Sequence, residues 1–274
     1  MQQFDNVLIF SSVMQQLNTV VIVNDKGTDR IDPGFFPGEI QEIQQFLEQS
    51  STSSERLMVL THSHYDHIAG APYFPNYRLA VSQLWDRDNE KRSARRLEQF
   101  DSEFYVERPW PRRVKLAEPS VFVNHQDTLG PIRFFHTPGH TLDSLSLLYE
   151  NILIVGDYLS SLEFPFINKS FASYETSLTM FEEIIAKNGV SMLISQHGPP
   201  ALSADHMSGR IYSARDYIKQ LRVLVDRAAM NKSSRDDMIQ EALTMKYQNR
   251  AIPPGLVRVH QQNLELLWTE VQEN

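Results

Sequence analysis

The 274-residue sequence predicts an α+β chain made of two β-rich halves followed by a helical C-terminal extension. Three observations predict it. Short runs rich in β-branched residues, bounded by turn formers, recur in the first hundred residues and again beyond Pro109. Segments with helical spacing of their apolar residues follow the strands in each half. After Pro199-Pro200 only helical periodicity remains.

In order, the runs Asn6–Phe10 and Thr19–Val23 read as strands, followed by a turn from Asn24 to Gly27 and by Ile31-Asp32-Pro33-Gly34. Ile40, Ile43, Phe46 and Leu47 form a helical stripe opened by Pro37, a residue tolerated in the first turn. Leu57 to Leu60 is a buried strand running straight into His62. Arg78–Ser82 is another, followed by a charged segment, Asp86–Phe104, whose Leu97, Phe100 and Phe104 suit a partly exposed helix. The arginines of that segment read as a solvated face in preference to an anion contact.

In the second half, Ser120–Asn124, Pro131–Thr137, Ser144–Glu150 and Asn151–Val155 are strand-like. A stripe at Leu178, Phe181, Ile184 and Ile185 precedes the strand Ser191–Ser195. The extension, residues 203–274, carries three helical stripes: Ile211 to Ala228, Met238 to Met245 with Ser233 or Ser234 as cap, and Leu256 to Val271. The predicted organisation is therefore a body of residues 1–202 and a three-helix extension of residues 203–274.

Composition excludes several function classes. Hydrophobic residues at 41% and charged residues at 22% describe a folded globular chain. With 34 acidic and 26 basic residues the net charge is −8, which disfavours nucleic acid as a partner. No apolar run spans a bilayer and the N-terminus lacks a secretion signal, so the expectation is a cytoplasmic protein without a membrane partner. There is no cysteine, so any metal must be held by imidazole and carboxylate.

The chemistry concentrates in His62-Ser63-His64-Tyr65-Asp66-His67, where a buried strand ends. Alternate residues of extended chain point the same way, so His62 and His64 can share one metal, while Asp66 and His67 swing toward a second as a helix begins. His140 in Thr-Pro-Gly-His-Thr, Asp157 after Asn-Ile-Leu-Ile-Val-Gly, and His197 each follow a strand and sit in a Gly-containing turn. Nitrogen and oxygen donors suit zinc, with iron or manganese as alternatives.

These residues resemble the metallo-β-lactamase superfamily, whose signature is His-x-His-x-Asp-His followed by single His, Asp and His ligands. The match covers about residues 15 to 200. The resemblance implies a four-layer αβ/βα sandwich and two metal ions. One would be held by His62, His64 and His140, the other by Asp66, His67 and His197, with Asp157 bridging. Ile31-Asp32-Pro33-Gly34 also looks like the family's early strand and turn. Gln196 before His197 departs from the usual Gly-His-Gly.

Two divalent ions less Asp66, Asp157 and a bridging hydroxide leave about one net positive charge, which favours an oxyanion. Metal coordination brings bound water to a pKa of about 7, providing hydroxide for attack on a carbonyl, with Asp66 orienting it. Asp32 reads equally as a partner of a ligand histidine or as a turn former. His125, His136, His206 and His260 are left without a metal role, though His136 could support the His140 turn. Tyr158, Glu163, Phe164 and Phe166 could line the pocket, packing being the favoured reading of Phe-Pro-Phe.

With its helical extension the chain looks like the glyoxalase II and thioesterase branch, which implies hydrolysis of a small-molecule thioester or ester. Lactone opening, phosphodiester cleavage and a metal-containing regulator that binds a signal are the alternatives. Lack of a secretion signal disfavours a β-lactamase, and His64, where oxygen-reducing relatives carry glutamate, disfavours redox chemistry. The extension could also serve as a homodimer face.

Overall fold

A computed structural model describes residues 1–24, 27–50, 55–110, 114–231 and 234–272. Residues 25 and 26 of the predicted turn, and Ser233, lie outside them.

The first sheet has seven strands in sequential order: β1 (Gln2–Phe4), β2 (Val7–Ser11), β3 (Asn18–Asn24), β4 (Gly27–Ile31), β5 (Glu55–Val59), β6 (Arg78–Ser82) and β7 (Val121–Val123). The first four run antiparallel, and β4 through β7 are parallel. Parallel neighbours need crossovers. These carry α1 (Pro37–Ser50), α2 (Tyr65–Ile68) and α3 (Arg87–Glu103). The second sheet holds β8 (Thr128–Leu129), β9 (Ile132–His136), β10 (Leu145–Tyr149) and β11 (Ile152–Ile154), with α4 (Phe171–Asn188) leading to β12 (Met192–Ile194), parallel to β11.

Strand alternation sorts the side chains into layers. Val20 and Ile22 of β3 point inward and meet Phe134, Leu147 and Ile154 of the second sheet, while Val21 between them points outward to Ile40, Ile43 and Leu97. Both sheet faces are covered, which is why the strands read as continuous apolar runs. The result is the αβ/βα sandwich of the family resemblance.

Beyond it lie α5 (Ala204–Asn231), α6 (Arg235–Ala242), capped by Ser234 Oγ accepting from Asp237 N, a small hairpin of β13 (Lys246–Tyr247) and β14 (Arg250–Ala251), and α7 (Val257–Gln272). The hairpin is absent from the sequence reading, because two-residue strands carry no alternation to detect. These helices share one apolar core with α4 and the outer face of the second sheet: Leu178, Phe181 and Leu193 cluster with Tyr217, Leu221, Leu264 and Leu267. Among the described residues no helix is long and apolar enough to cross a membrane.

Candidate metal centre

His62, Asp157 and His197 emerge just past the C-terminal ends of β5, β11 and β12, and His140 stands in the turn from β9 to β10. Gly139 makes that turn: its φ is +130°, and a Cβ there would lie 2.5 Å from the Tyr174 backbone, so the turn packs directly on α4. The seven predicted residues meet in two adjacent groups, His62, His64, His140 and Asp157 in one, Asp66, His67 and His197 in the other.

In the first group His62 Nε2, His64 Nδ1 and His140 Nε2 lie 3.0, 3.1 and 3.2 Å apart. Asp157 stands between the groups. Its Oδ2 is 3.5 Å from His62 and 3.3 Å from His140, and its Oδ1 is 3.2 Å from His67 and 3.5 Å from His197. Asp66 Oδ2 lies 3.4 Å from His197 Nε2 and 3.6 Å from His67 Nε2.

The outward nitrogens define the tautomers. His140 Nδ1 donates to Phe166 O at 2.8 Å and His197 Nδ1 to Gln15 O at 3.1 Å. His67 Nδ1 donates to Asp32 Oδ2 at 2.8 Å. Thr61 Oγ1 donates to the same carboxylate oxygen at 2.8 Å, so it accepts from His62 Nδ1 at 3.0 Å. With a proton committed outward on each ring, four Nε2 lone pairs face inward.

Converging lone pairs repel unless a cation lies among them. The atoms His67 Nε2 and Asp157 Oδ1 are buried and have no hydrogen-bond partner, a costly state that metal coordination relieves. Nitrogen separations near 3 Å also match the tetrahedral edge of about 3.3 Å that metal–nitrogen bonds of about 2.0–2.1 Å produce. The residues present therefore fit a pair of divalent cations.

Electrostatics agree. Burial pushes the His62 and His64 imidazoles below their ordinary range, and neighbouring imidazoles add to the effect. Burial is the largest single influence on His67 and His197 and would lower both, but the surrounding carboxylates, Asp157 foremost, together outweigh it and raise both well above their ordinary value. The carboxylates that favour a proton there equally favour a metal ion. Although burial opposes it, His67 and His197 hold the Asp66 carboxyl well below the usual carboxylate range.

Anchoring of the second group runs through Asp32. Its carboxylate accepts from Thr61 N (2.9 Å), Thr61 Oγ1, His67 Nδ1 and Gln196 Nε2 (each 2.8 Å), and its φ is +50°. Both sequence readings of Asp32, turn former and histidine partner, thus hold together. Gln196 also donates to Asn18 O, and Asn18 returns bonds to the carbonyls of Ser195 and Gly198. Where the family places glycine, this chain uses an amide to tie His197 to the first sheet.

Tyr158 and Phe164 are buried, the latter stacked on Tyr217, whereas Phe166 lines the cavity in front of the metal groups. His136 Nε2 donates to Leu142 O beside the His140 turn. His260 lies buried in the helical region, away from the metal groups.

That cavity has a volume of about 400 Å³, with Asp66, Asp157 and His197 at its base and Glu163 and Phe166 on one wall. Burial pushes the Glu163 carboxyl up to about 7. Arg92 and Arg96 of α3 face Arg258 of α7 across the mouth. Arg92 and Arg96, four residues apart on one helical face, are exposed, as the solvated-face reading expects, and they also border the site. Asn89 holds α3 there, donating to Ser63 Oγ at 2.7 Å within the ligand segment.

Sequence reasoning also missed Thr61, Asn18 and Asn263. The Asn263 side chain donates to Pro165 O at 2.6 Å and accepts from Ile167 N at 3.0 Å. A polar residue on the inward stripe of α7, next to Leu264 and Leu267, was the available signal.

Fold and site together define a metallohydrolase architecture, and a profile of the metallo-beta-lactamase superfamily matches residues 14–197. The chain belongs to that superfamily, whose members bind divalent metals. It is 31% identical over 162 residues to a hydroxyacylglutathione hydrolase of Idiomarina loihiensis, the match covering 58% of this chain and 49% of that protein. The fold resembles a metallo-beta-lactamase family protein from Thermus thermophilus, with a TM-score of 0.60 and 15% identity over 81% of this chain and 83% of that one. An archaeal superfamily protein from Sulfolobus tokodaii aligns over 99% of this chain and 100% of its own, with a TM-score of 0.54 and 18% identity.

Proposed function

We propose that this chain hydrolyses a small thioester or ester at a two-metal centre. The observation that carries the reading is a complete two-group nitrogen and carboxylate donor set at the base of an open cavity, in a chain with no cysteine. The similarity to a hydroxyacylglutathione hydrolase supports the choice of bond.

His62, His64 and His140 would hold one ion, Asp66, His67 and His197 the other, and Asp157 both; zinc is the expected metal. Bound ions would supply hydroxide at neutral pH and an acceptor for developing negative charge on the carbonyl oxygen. Asp66, kept ionised by its histidine neighbours, accepts a hydrogen bond from the attacking water and so orients it. At the mouth, Arg92, Arg96 and Arg258 favour a substrate with a carboxylate or phosphate on the part remote from the scissile bond. Arg96 lies over the Tyr65 ring at 5.1 Å and Arg92 stands 3.8 Å from Asp86, so both are held at the cavity lining that Arg258 shares.

The test is a panel of thioesters, esters, lactones, phosphodiesters and β-lactams offered to zinc-loaded protein, with acidic and neutral versions of each thioester. Preferred turnover of an acidic thioester is expected. Arg96→Gln should raise its KM about tenfold, at the lower end for a charge-assisted contact, and leave the neutral analogue unchanged. Turnover confined to phosphodiesters, or none with both ions in place, would overturn the reading.

A further inference from the structure

The seven ligands all lie in residues 62–197, yet the orientation of one of them depends on α7. His140 Nδ1 donates to the carbonyl of Phe166, and Phe166 sits in the segment joining β11 to α4. That carbonyl is held from both sides. Asn263 Nδ2 donates to the preceding carbonyl, Pro165 O, and Asn263 Oδ1 accepts from the following amide, Ile167 N.

Asn263 is itself fixed in place. It is 1% exposed, and its Nδ2 also donates to Tyr217 Oη at 2.9 Å. Tyr217 Oη in turn donates to His260 Nδ1 at 2.8 Å, because His260 Nε2 already donates to Ala242 O at 2.9 Å. A fully satisfied polar network inside an apolar core specifies one arrangement, since any slip strands a buried donor.

We infer that Asn263 is a positioning residue for the metal centre, setting through Phe166 O the ring angle and tautomer of His140. The inference rests on the metal-centre reading but not on the identity of the substrate. Partners of a ligand's outer nitrogen typically change metal affinity by about 10–100-fold, and one further step of relay places Asn263 near the lower figure.

The experiment compares Asn263→Asp and Asn263→Ala with Leu267→Ala, a control that thins the same helix face without touching the relay. Each is stripped of metal and titrated with cobalt(II) against a chelator, recording affinity and the visible spectrum, and the melting temperature of the metal-free protein is measured beside it. Asn263→Asp keeps the acceptor for Ile167 N but sets a carboxylate oxygen against Pro165 O. It is expected to weaken one of two cobalt sites about tenfold and to shift that site's spectrum, whereas Leu267→Ala lowers the melting temperature with both sites intact. Wild-type affinity and spectrum in the Asn263 variants would overturn the relay, as would an equal loss of affinity in the control. Failure of the wild-type protein to bind cobalt at all would instead overturn the metal-centre reading beneath it.

Discussion

The two metal groups are built alike at their inner atoms and differently behind them. Behind Asp66, His67 and His197 stands the junction of the two sheets: Asp32 from the end of β4, Thr61 from the end of β5, and Gln196 paired with Asn18. Behind His140 stands an irregular segment whose backbone is gripped by α7. The second group is therefore anchored within the sandwich, as is His62 of the first through Thr61 Oγ1, whereas His140 leans on helices outside it. The helical region shares a core with the second sheet and, through Asn263, also reaches the backbone to which His140 donates.

The widest test of this contrast removes the one residue common to both sides. Asp157→Ala deletes oxygens facing His62, His140, His67 and His197, so both ions should be lost and turnover should fall by roughly a thousandfold or more, about 4 kcal/mol or more of barrier. Metal analysis after dialysis reads the outcome, and retention of two ions would remove the bridging role. A sharper test is Asp32→Asn, which tolerates the left-handed backbone but no longer accepts from every donor. It should cost about 3 kcal/mol of stability in denaturant titration and preferentially weaken the site containing His67. Equal weakening of both sites would erase the contrast.

The smallest expected effect concerns Glu163. Its folded carboxyl is raised to about 7 from an ordinary 4.5, so the folded form keeps a proton that the unfolded form gives up. Stability contributed by that proton is present below about pH 4.5 and lost as pH rises toward 7. Metal-free Glu163→Gln should therefore match the wild type at about pH 4 and exceed it at about pH 8 by roughly 1–3 kcal/mol, the upper figure being reduced because the group faces a wet cavity. Identical pH profiles of melting temperature would show that the carboxyl is not held protonated.

The clustering of the donors was legible because His62 and His64 stand two apart beyond a strand, and His140, Asp157 and His197 each follow a strand-like run in a Gly-containing turn. The layers were implied by the family resemblance, and the structure shows the physical reason for a run such as Val20-Val21-Ile22: both faces of the strand are covered. Gln196 and Arg96 were not legible. An amide beside a ligand or an arginine on a charged helix has the same local signature whether it faces solvent or a site.

By itself, then, the sequence determined the candidate donors, the order of the longer strands and helices and the absence of thiolate chemistry, all of which depend on residue type and short-range spacing. Only the tertiary structure decided which groups stand behind the donors. Asn263 lies 123 positions from His140, and nothing in local periodicity encodes that its amide clasps the backbone around Phe166. Such partnerships exist only once the helices have packed, because a hydrogen bond depends on distance in space, and spacing along the chain constrains that distance only within a turn or a strand.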